Sequence, residues 1–240
     1  MPKNKPHILS TAILESKFAR MLESAGISCE MIPFIRVAFR KDEETGRRVG
    51  ELMHEKITAI FTSKHAVEAI REIPGITKAP WKIYCLGSST SKLVSEVFSS
   101  ATIAGTAENA ASLAHLILEK GPASSIDFFC GDIRREELPS ILNQRSIALR
   151  EWIVYETLTT PVRIEKEYLA ILFLSPSAVR SFFSVNKPST STLFFAIGNT
   201  TAIEIRKLTE NRILISKQAS IRSLVDKVIE EIQSVETGDA

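Results

Sequence analysis

Residues 169–201 read LAILFLSPSAVRSFFSVNKPSTSTLFFAIGNTT. An apolar run breaks off at Ser175, Pro176 and Ser177, and an amphipathic run carries on to Phe183. After a polar break, a second apolar run closes on Gly198, Thr200 and Thr201. Short apolar runs bounded by turn residues predict buried strands, and apolar residues at helical spacing between them predict a covering helix. The stretch therefore reads strand, helix, strand, glycine turn, helix. The same layout appears earlier, as ITAIFTSKHAVEAI at residues 57–70 followed by KIYCLGSSTSKLV at residues 82–94. Aligning the two sets Ser63 against Ser175 and Gly87 against Gly198, with serine-to-glycine spacings of 24 and 23 positions.

A repeat separated by 112 positions, from Ser63 to Ser175, is too long for a solenoid unit of roughly 20–50 residues and predicts two similar domains. The 240 residues hold two domains of ordinary size, about 100–150 residues each.

Working outward, the first unit predicts strands at 57–62, 82–86, 101–104, 126–130 and 148–158, with helices at 64–73 and 89–98. Two further helices bury Leu113, Leu116 and Ile117, and Leu138, Ile141 and Leu142. The charged segment 41–50 is a loop or the first turn of a helix. The second unit predicts only three strands, at 169–174, 192–197 and 212–215, and a last helix carrying Ile221, Leu224, Val225, Val228 and Ile232. Its missing two come from the N-terminal end. There a strand at 7–10 and a helix through Phe18, Met21 and Leu22 precede CEMIPFIRVAF at 29–39, an over-long strand.

The second domain is then a circular permutant of the first. It comprises 1–35 with 160–240, around an inserted domain at 38–152, with linker strands at about 29–39 and 148–158 forming a two-stranded ladder. Alternating strands and helices with short connections predict parallel sheets covered on both faces. Ligands of such sheets bind beyond the carboxyl ends of the strands, and two such edges facing across a two-stranded hinge make a cleft.

With 30 basic and 28 acidic side chains, no global field gathers nucleic acid or a membrane surface. An anionic ligand is held locally. Cys29, Cys85 and Cys130 form no CxxC pair, so neither a zinc site nor a disulfide framework is expected, and a reducing cytoplasm fits. No apolar run approaches the roughly 18 residues of a membrane span, and MPKNKPHILS lacks a signal-peptide core. His7, His54, His65 and His115 show no ligand spacing, and no Walker loop, GxGxxG fingerprint or nucleophile elbow is present.

The strand-to-helix junctions concentrate small and hydroxyl residues: Ser10 and Thr11, Ser63, Gly87 and Ser88, Gly131, Ser175 and Ser177, Gly198, Thr200 and Thr201, Ser216 and Ser220. Helix N-termini carry unpaired N–H groups and partial positive charge, so such junctions hold carboxylates or phosphates. Ser and Thr are equally good N-caps, and capping alone also explains them. Lys64, His65, Arg134, Arg135, Arg180 and Lys217 lie in or beside first turns, either as partners for carboxylates or as solvated surface. Tyr155, on the returning strand, is either a proton donor or a packed ring with a wet hydroxyl.

The words FTSKHAV, IYCLGSSTSKLV, AENAASLAHLI, FFCGDIRREELPSIL, VYET, FLSPSAV and AIGNTTA, in this order, resemble the uroporphyrinogen-III synthase family, from about Cys29 to Ile232. The chain departs from it at Ser10, Thr11 and Ala12, where bacterial members commonly have a Thr-Arg-Pro-like turn, and at Leu208 to Arg212, where a glycine is usual. The resemblance implies two flavodoxin-like domains joined by a two-stranded ladder. It also implies the substrate hydroxymethylbilane, a linear tetrapyrrole bearing acetate and propionate groups, and no metal or organic cofactor. The product is uroporphyrinogen III, formed with loss of water and inversion of the last pyrrole ring. Tyr155 matches the tyrosine proposed to protonate the departing hydroxyl. Ser63, Ser175, Thr200 and Thr201 match hydroxyl positions lining the cleft, beside the candidate substrate-binding residues Lys64, Gly87, Ser88, Gly131, Arg134, Ser177 and Gly198. A cytoplasmic monomer is expected, with transient contact with the preceding pathway enzyme and none with nucleic acid or membrane.

Two rivals are a non-catalytic two-domain sensor binding a small anion in the cleft and a nucleotide-handling enzyme. The missing phosphate loop disfavours the second.

Overall fold

The structure, a computed structural model, describes residues 5–40, 42–121 and 125–237. Residues 1–4 of the N-terminal stretch, Lys41 of the charged segment and residues 238–240 lie outside it. In chain order the described elements begin with β1 (His7–Ser10), α1 (Ser16–Ser24), β2 (Ser28–Met31), β3 (Ile35–Phe39), α2 (Glu43–Leu52), β4 (Thr58–Phe61) and α3 (Lys64–Ile70). A short 3-10 turn, Ile76–Lys78, leads to β5 (Lys82–Leu86), α4 (Ser88–Val97), β6 (Thr102–Ala107), α5 (Ala110–Glu119), β7 (Ser125–Gly131) and α6 (Glu137–Asn143). Then come β8 (Ala148–Thr159), β9 (Ala170–Phe173), α7 (Pro176–Phe183), β10 (Leu193–Ala196), α8 (Asn199–Arg206), β11 (Ile213–Ile215) and α9 (Ile221–Thr237).

The chain divides into two compact units, Met1–Arg36 with Leu158–Ala240, and Val37–Thr157. The discontinuous unit holds a five-stranded sheet of order β11-β10-β9-β1-β2, and its strand pairs are parallel. The four residues AILF of β9 are all buried, as expected of a central parallel strand covered on both faces. On one face Ile8, Leu172 and Phe195 pack with α1 and α9 through Phe18, Leu22, Leu224 and Val228. On the other, Leu9, Ile171, Phe173 and Phe194 pack with Val179, Phe182 and Ile205 of α7 and α8.

The continuous unit is built on a six-stranded sheet of order β3-β8-β7-β4-β5-β6. One face stacks Phe61, Trp81 and Phe129, with ring centroids 5.0 and 5.2 Å apart around Phe129, and each buried aromatic contributes about 1.5–3 kcal/mol by burial alone. The other face packs Ile60, Phe128 and Cys130 under Leu113, Ile117, Leu138 and Leu142. The buried carboxylate of Asp127 accepts from Arg150 at 2.6 and 2.9 Å and from the Trp152 indole at 2.7 Å, so this charge is paired.

The expected single strand at 29–39 is corrected to two, β2 and β3, which belong to different sheets. Pro33 between them has no N–H to give a ladder and holds its own φ, so the run breaks there. Along β3 and β8, Thr160 N–H donates to Phe34 O at 2.9 Å and Arg40 N–H to Val154 O at 2.9 Å. Partners advance on one strand as they retreat on the other, so this pair is antiparallel. The segment after Lys41 is helical from Glu43, started by Asp42, whose carboxylate accepts from Thr45 N–H at 2.8 Å.

In the six-stranded sheet, β4 is followed outward by β5 and β6 on one side and lies against β7 and β8 on the other. The order reverses between β4 and β7, and in the five-stranded sheet between β1 and β9. Such reversals open a crevice at the carboxyl ends of the two strands.

Candidate functional site

At the reversal in the continuous unit, β4 runs out at Phe61 and hands over to Thr62 and Ser63, while β7 ends at Gly131. Ser63 caps α3: its hydroxyl accepts from His65 N–H at 3.2 Å. The β7–β8 register slips at this end, from Cys130 opposite Ile153 to Gly131 opposite Tyr155, leaving Val154 as the extra residue. A bulge of this kind re-aims the next side chain, and Tyr155 is laid across Gly131. A Cβ at Gly131 would stand 2.5 Å from Cε2 and Cζ of Tyr155, so only glycine admits the ring there.

Around the phenol stand Ser63, His65 and Asp132. The His65 imidazole meets the Tyr155 ring at 65°, with centroids 5.8 Å apart. Burial pushes the Tyr155 phenol above its ordinary value, and the Ser63 hydroxyl beside it offsets part of that rise. The phenol is thus a neutral proton carrier through the physiological range. Asp132 is exposed, and its carboxylate accepts from Thr157 N–H at 2.9 Å, which continues β8 past the bulge.

The helix starts fall into two kinds. Ser63 and Ser175 cap α3 and α7, Ser175 accepting from Ala178 N–H at 3.2 Å. Gly87 and Gly198 precede α4 and α8, and no side chain caps either helix among the described residues. Their first-turn N–H groups remain available to an anion. Gly87 is left-handed, with φ 79°, a conformation few other residues adopt. Ser88 and Thr200 are exposed beside these starts, while Thr201 is buried.

The predicted cations divide as well. Lys64 and Arg135 are exposed and make no ion pair among the described residues. Arg134 is held by Glu136 at 2.8 Å and Glu151 at 2.6 Å, so its charge is matched within the protein. Arg180 pairs with Glu204 at 3.1 Å and donates to the buried Ser177 at 3.3 Å. The Ser10 and Thr11 hydroxyls donate to the Ala12 and Leu172 carbonyls, each at 2.7 Å, so that loop spends its hydroxyls on its own backbone.

The structure therefore brings Ser63, Gly131 and Tyr155 together, with Lys64 at the adjoining helix start. Gly87 and Ser88 stand at the start of the next helix of the same unit. Ser175, Ser177, Gly198, Thr200 and Thr201 lie at helix starts of the other unit. Sequence reading missed Glu68, whose Oε2 lies 2.8 Å from His65 Nδ1; their spacing of three along a helix was the available signal. Among the described residues no three His, Cys, Asp or Glu side chains gather as metal ligands, and no helix is long and apolar enough to cross a membrane. Burial pushes the thiols of Cys85 and Cys130 up to about 12 and that of Cys29 up to about 11, which makes them poor nucleophiles.

The family model for uroporphyrinogen-III synthase HemD matches residues 16–226. Among solved structures, the chain is similar to uroporphyrinogen-III synthetase from Helicobacter pylori, at 16% identity and a TM-score of 0.68, with 94% of this chain and 99% of that one covered. It is also similar to a mutant uroporphyrinogen III synthase from Thermus thermophilus, at 14% identity and a TM-score of 0.62, covering 95% and 99%. At these identities the structural likeness speaks for the fold.

Proposed function

Because the chain belongs to the uroporphyrinogen-III synthase family, we infer that it cyclises hydroxymethylbilane to uroporphyrinogen III in tetrapyrrole biosynthesis, with loss of water and inversion of the last pyrrole ring. The observation that carries this is the family match across residues 16–226.

The substrate loses its hydroxyl readily, giving an azafulvene-type cation that closes spontaneously to the uninverted isomer I. The enzyme must outrun that closure and redirect it. In this reading the substituted α-carbon of the last ring attacks first, and the resulting spiro intermediate fragments and recloses inverted. Hydroxide is a poor leaving group, so a proton supplied as the C–O bond breaks lowers the barrier. Tyr155 is assigned that proton, because burial keeps its phenol protonated and Ser63 lies beside it. Redirection is largely a matter of orientation. We assign it to the open helix starts at Gly87–Ser88 and Gly198–Thr201, to the capped ones at Ser63 and Ser175 with Ser177, and to the Lys64 ammonium, all gripping acetate and propionate groups. Arg134 has its charge already matched and is assigned the support of this edge.

We also propose that the two units are circular permutants of one flavodoxin-like design, joined by the β3–β8 ladder. In support, the five-stranded sheet read in chain order follows 2-1-3-4-5, the flavodoxin-like order. Moving its first two strands to the end of the chain yields β9-β10-β11-β1-β2, which lines up with β4-β5-β6-β7-β8. We further read the protein as a cytoplasmic monomer that receives its substrate by transient contact with the preceding enzyme.

The deciding experiment feeds hydroxymethylbilane to the purified protein, oxidises the products and resolves type I from type III. A large excess of type III is expected. Type I alone, at the spontaneous rate, overturns the assignment and leaves a tetrapyrrole-binding or sensor role.

A further inference from the structure

We propose that Glu68 and His65 are positioning residues for Tyr155: the Glu68 carboxylate fixes the imidazole, and the imidazole fixes the phenol over Gly131. The proposal rests on the reading of Tyr155 as the proton donor.

The geometry builds from the start of α3. Ser63 caps the helix through His65 N–H at 3.2 Å, which pins the His65 backbone. Glu68 follows at helical spacing, and its Oε2 lies 2.8 Å from His65 Nδ1. An ionised carboxylate only accepts, so Nδ1 carries the proton and the ring is held in one tautomer and one orientation. That ring then stands at 65° to Tyr155, with centroids 5.8 Å apart, in the edge-to-face range aromatic pairs prefer. Gly131 supplies the other boundary: its missing Cβ leaves the space the phenol occupies, 2.5 Å from where that carbon would sit. The phenol is therefore bounded by a backbone that cannot yield and an imidazole that moves only if Glu68 releases it.

A bland account treats the pair as a surface helix contact. The His65 and Glu68 side chains are 36% and 27% exposed, and partly exposed pairs of this kind contribute little to stability. The two accounts differ in what Glu68 does to Tyr155, which is measurable.

The chain has three tyrosines, Tyr84, Tyr155 and Tyr168, so protein made with 3-fluorotyrosine gives a fluorine spectrum simple enough to assign with Tyr155→Phe. Glu68→Ala is expected to shift or broaden the Tyr155 resonance and leave the other two in place. In the isomer assay it is expected to lower kcat about tenfold with KM within about twofold, and to raise the type I fraction, as loss of orientation does. Glu68→Gln keeps an acceptor oxygen and restores most of the rate. In a Tyr155→Phe background, Glu68→Ala has no further effect, because coupled residues are non-additive. An unmoved Tyr155 resonance together with full kcat in Glu68→Ala overturns the proposal. If Tyr155→Phe itself turns over at the full rate, the proton-donor reading fails separately, and the fluorine resonance still decides whether Glu68 positions the phenol.

Discussion

The ends of two strand pairs, β7–β8 and β1–β2, differ in one residue of register. In the first, the register slips so that Gly131 faces Tyr155; in the second, Ser10 faces Met31 with no slip. Both pairs are parallel and lie beside the reversal of their sheet. The slip delivers a phenol to a strand end beside Ser63 and His65. Where register holds, the chain presents a thioether that accepts from Leu14 N–H at 3.4 Å and hydroxyls turned onto their own backbone. In this reading one end carries the proton and the other holds its own loop in shape. The asymmetry comes from the bulge.

The largest effect expected of this difference lies at Tyr155. Tyr155→Phe keeps the ring and removes the proton, and kcat should fall by about 10²-fold, the lower end for general acid catalysis, with more type I product. Met31→Leu at the matching end should leave kcat unchanged. An equal loss in both would erase the functional asymmetry. The sign of the pH effect follows from the raised phenol: it keeps its proton past the ordinary tyrosine value of about 10. A profile of kcat against pH should therefore show no tyrosine-dependent loss below that value.

Gly131→Ala should cost about tenfold in kcat, because the new methyl displaces the phenol from its seat, and sub-ångström to ångström misplacement suffices for such losses. Its far-ultraviolet circular dichroism should stay native. Combined with Tyr155→Phe, it should cost no further activity; a further loss would mean Gly131 contributes to something other than the phenol.

The two serine caps give a smaller, sharper contrast. Ser63→Ala and Ser175→Ala each remove one first-turn hydrogen bond and should each destabilise by about 1 kcal/mol in urea unfolding. Only Ser63→Ala also removes a hydroxyl beside Tyr155, so the two should separate in kcat by about three- to tenfold. Equal kcat values would make Ser63 a cap and nothing more.

These contrasts were unevenly legible in the chain itself. Periodicity marks strands such as Lys82–Leu86 closely, because a buried parallel strand is a short apolar run and its ends are turn residues. It fails at 29–39, where apolar residues continue through Pro33 and only the missing N–H signals a change of sheet. Hydroxyls mark the strand ends in the sequence, yet not which of them cap helices and which leave N–H groups open, since that depends on neighbours such as Ala178 and His65. Arg134 read as a free cation because Glu151, its nearer partner, lies 17 positions away on β8. The bulge at Gly131 is invisible in sequence, since VYET carries no residue that demands it.

A second tyrosine tests whether a slipped register is enough to make a site. At Tyr84 the β5–β6 register also slips, placing it opposite Gly105. Its ring lies 3.3 Å from where a Gly105 Cβ would be. Here the slip falls mid-strand, under Leu116, and the side chain is fully buried. Its hydroxyl finds no partner among the described residues. A buried unpaired hydroxyl costs desolvation with no return, so Tyr84→Phe should leave kcat unchanged and raise stability by up to about 1 kcal/mol. A loss of stability in urea unfolding would mean that the Tyr84 hydroxyl is bonded in solution. A loss of kcat would extend the catalytic region along β5. The same local device thus buries an unpaired hydroxyl under a helix and, at the strand end beside Ser63, lays a phenol across Gly131.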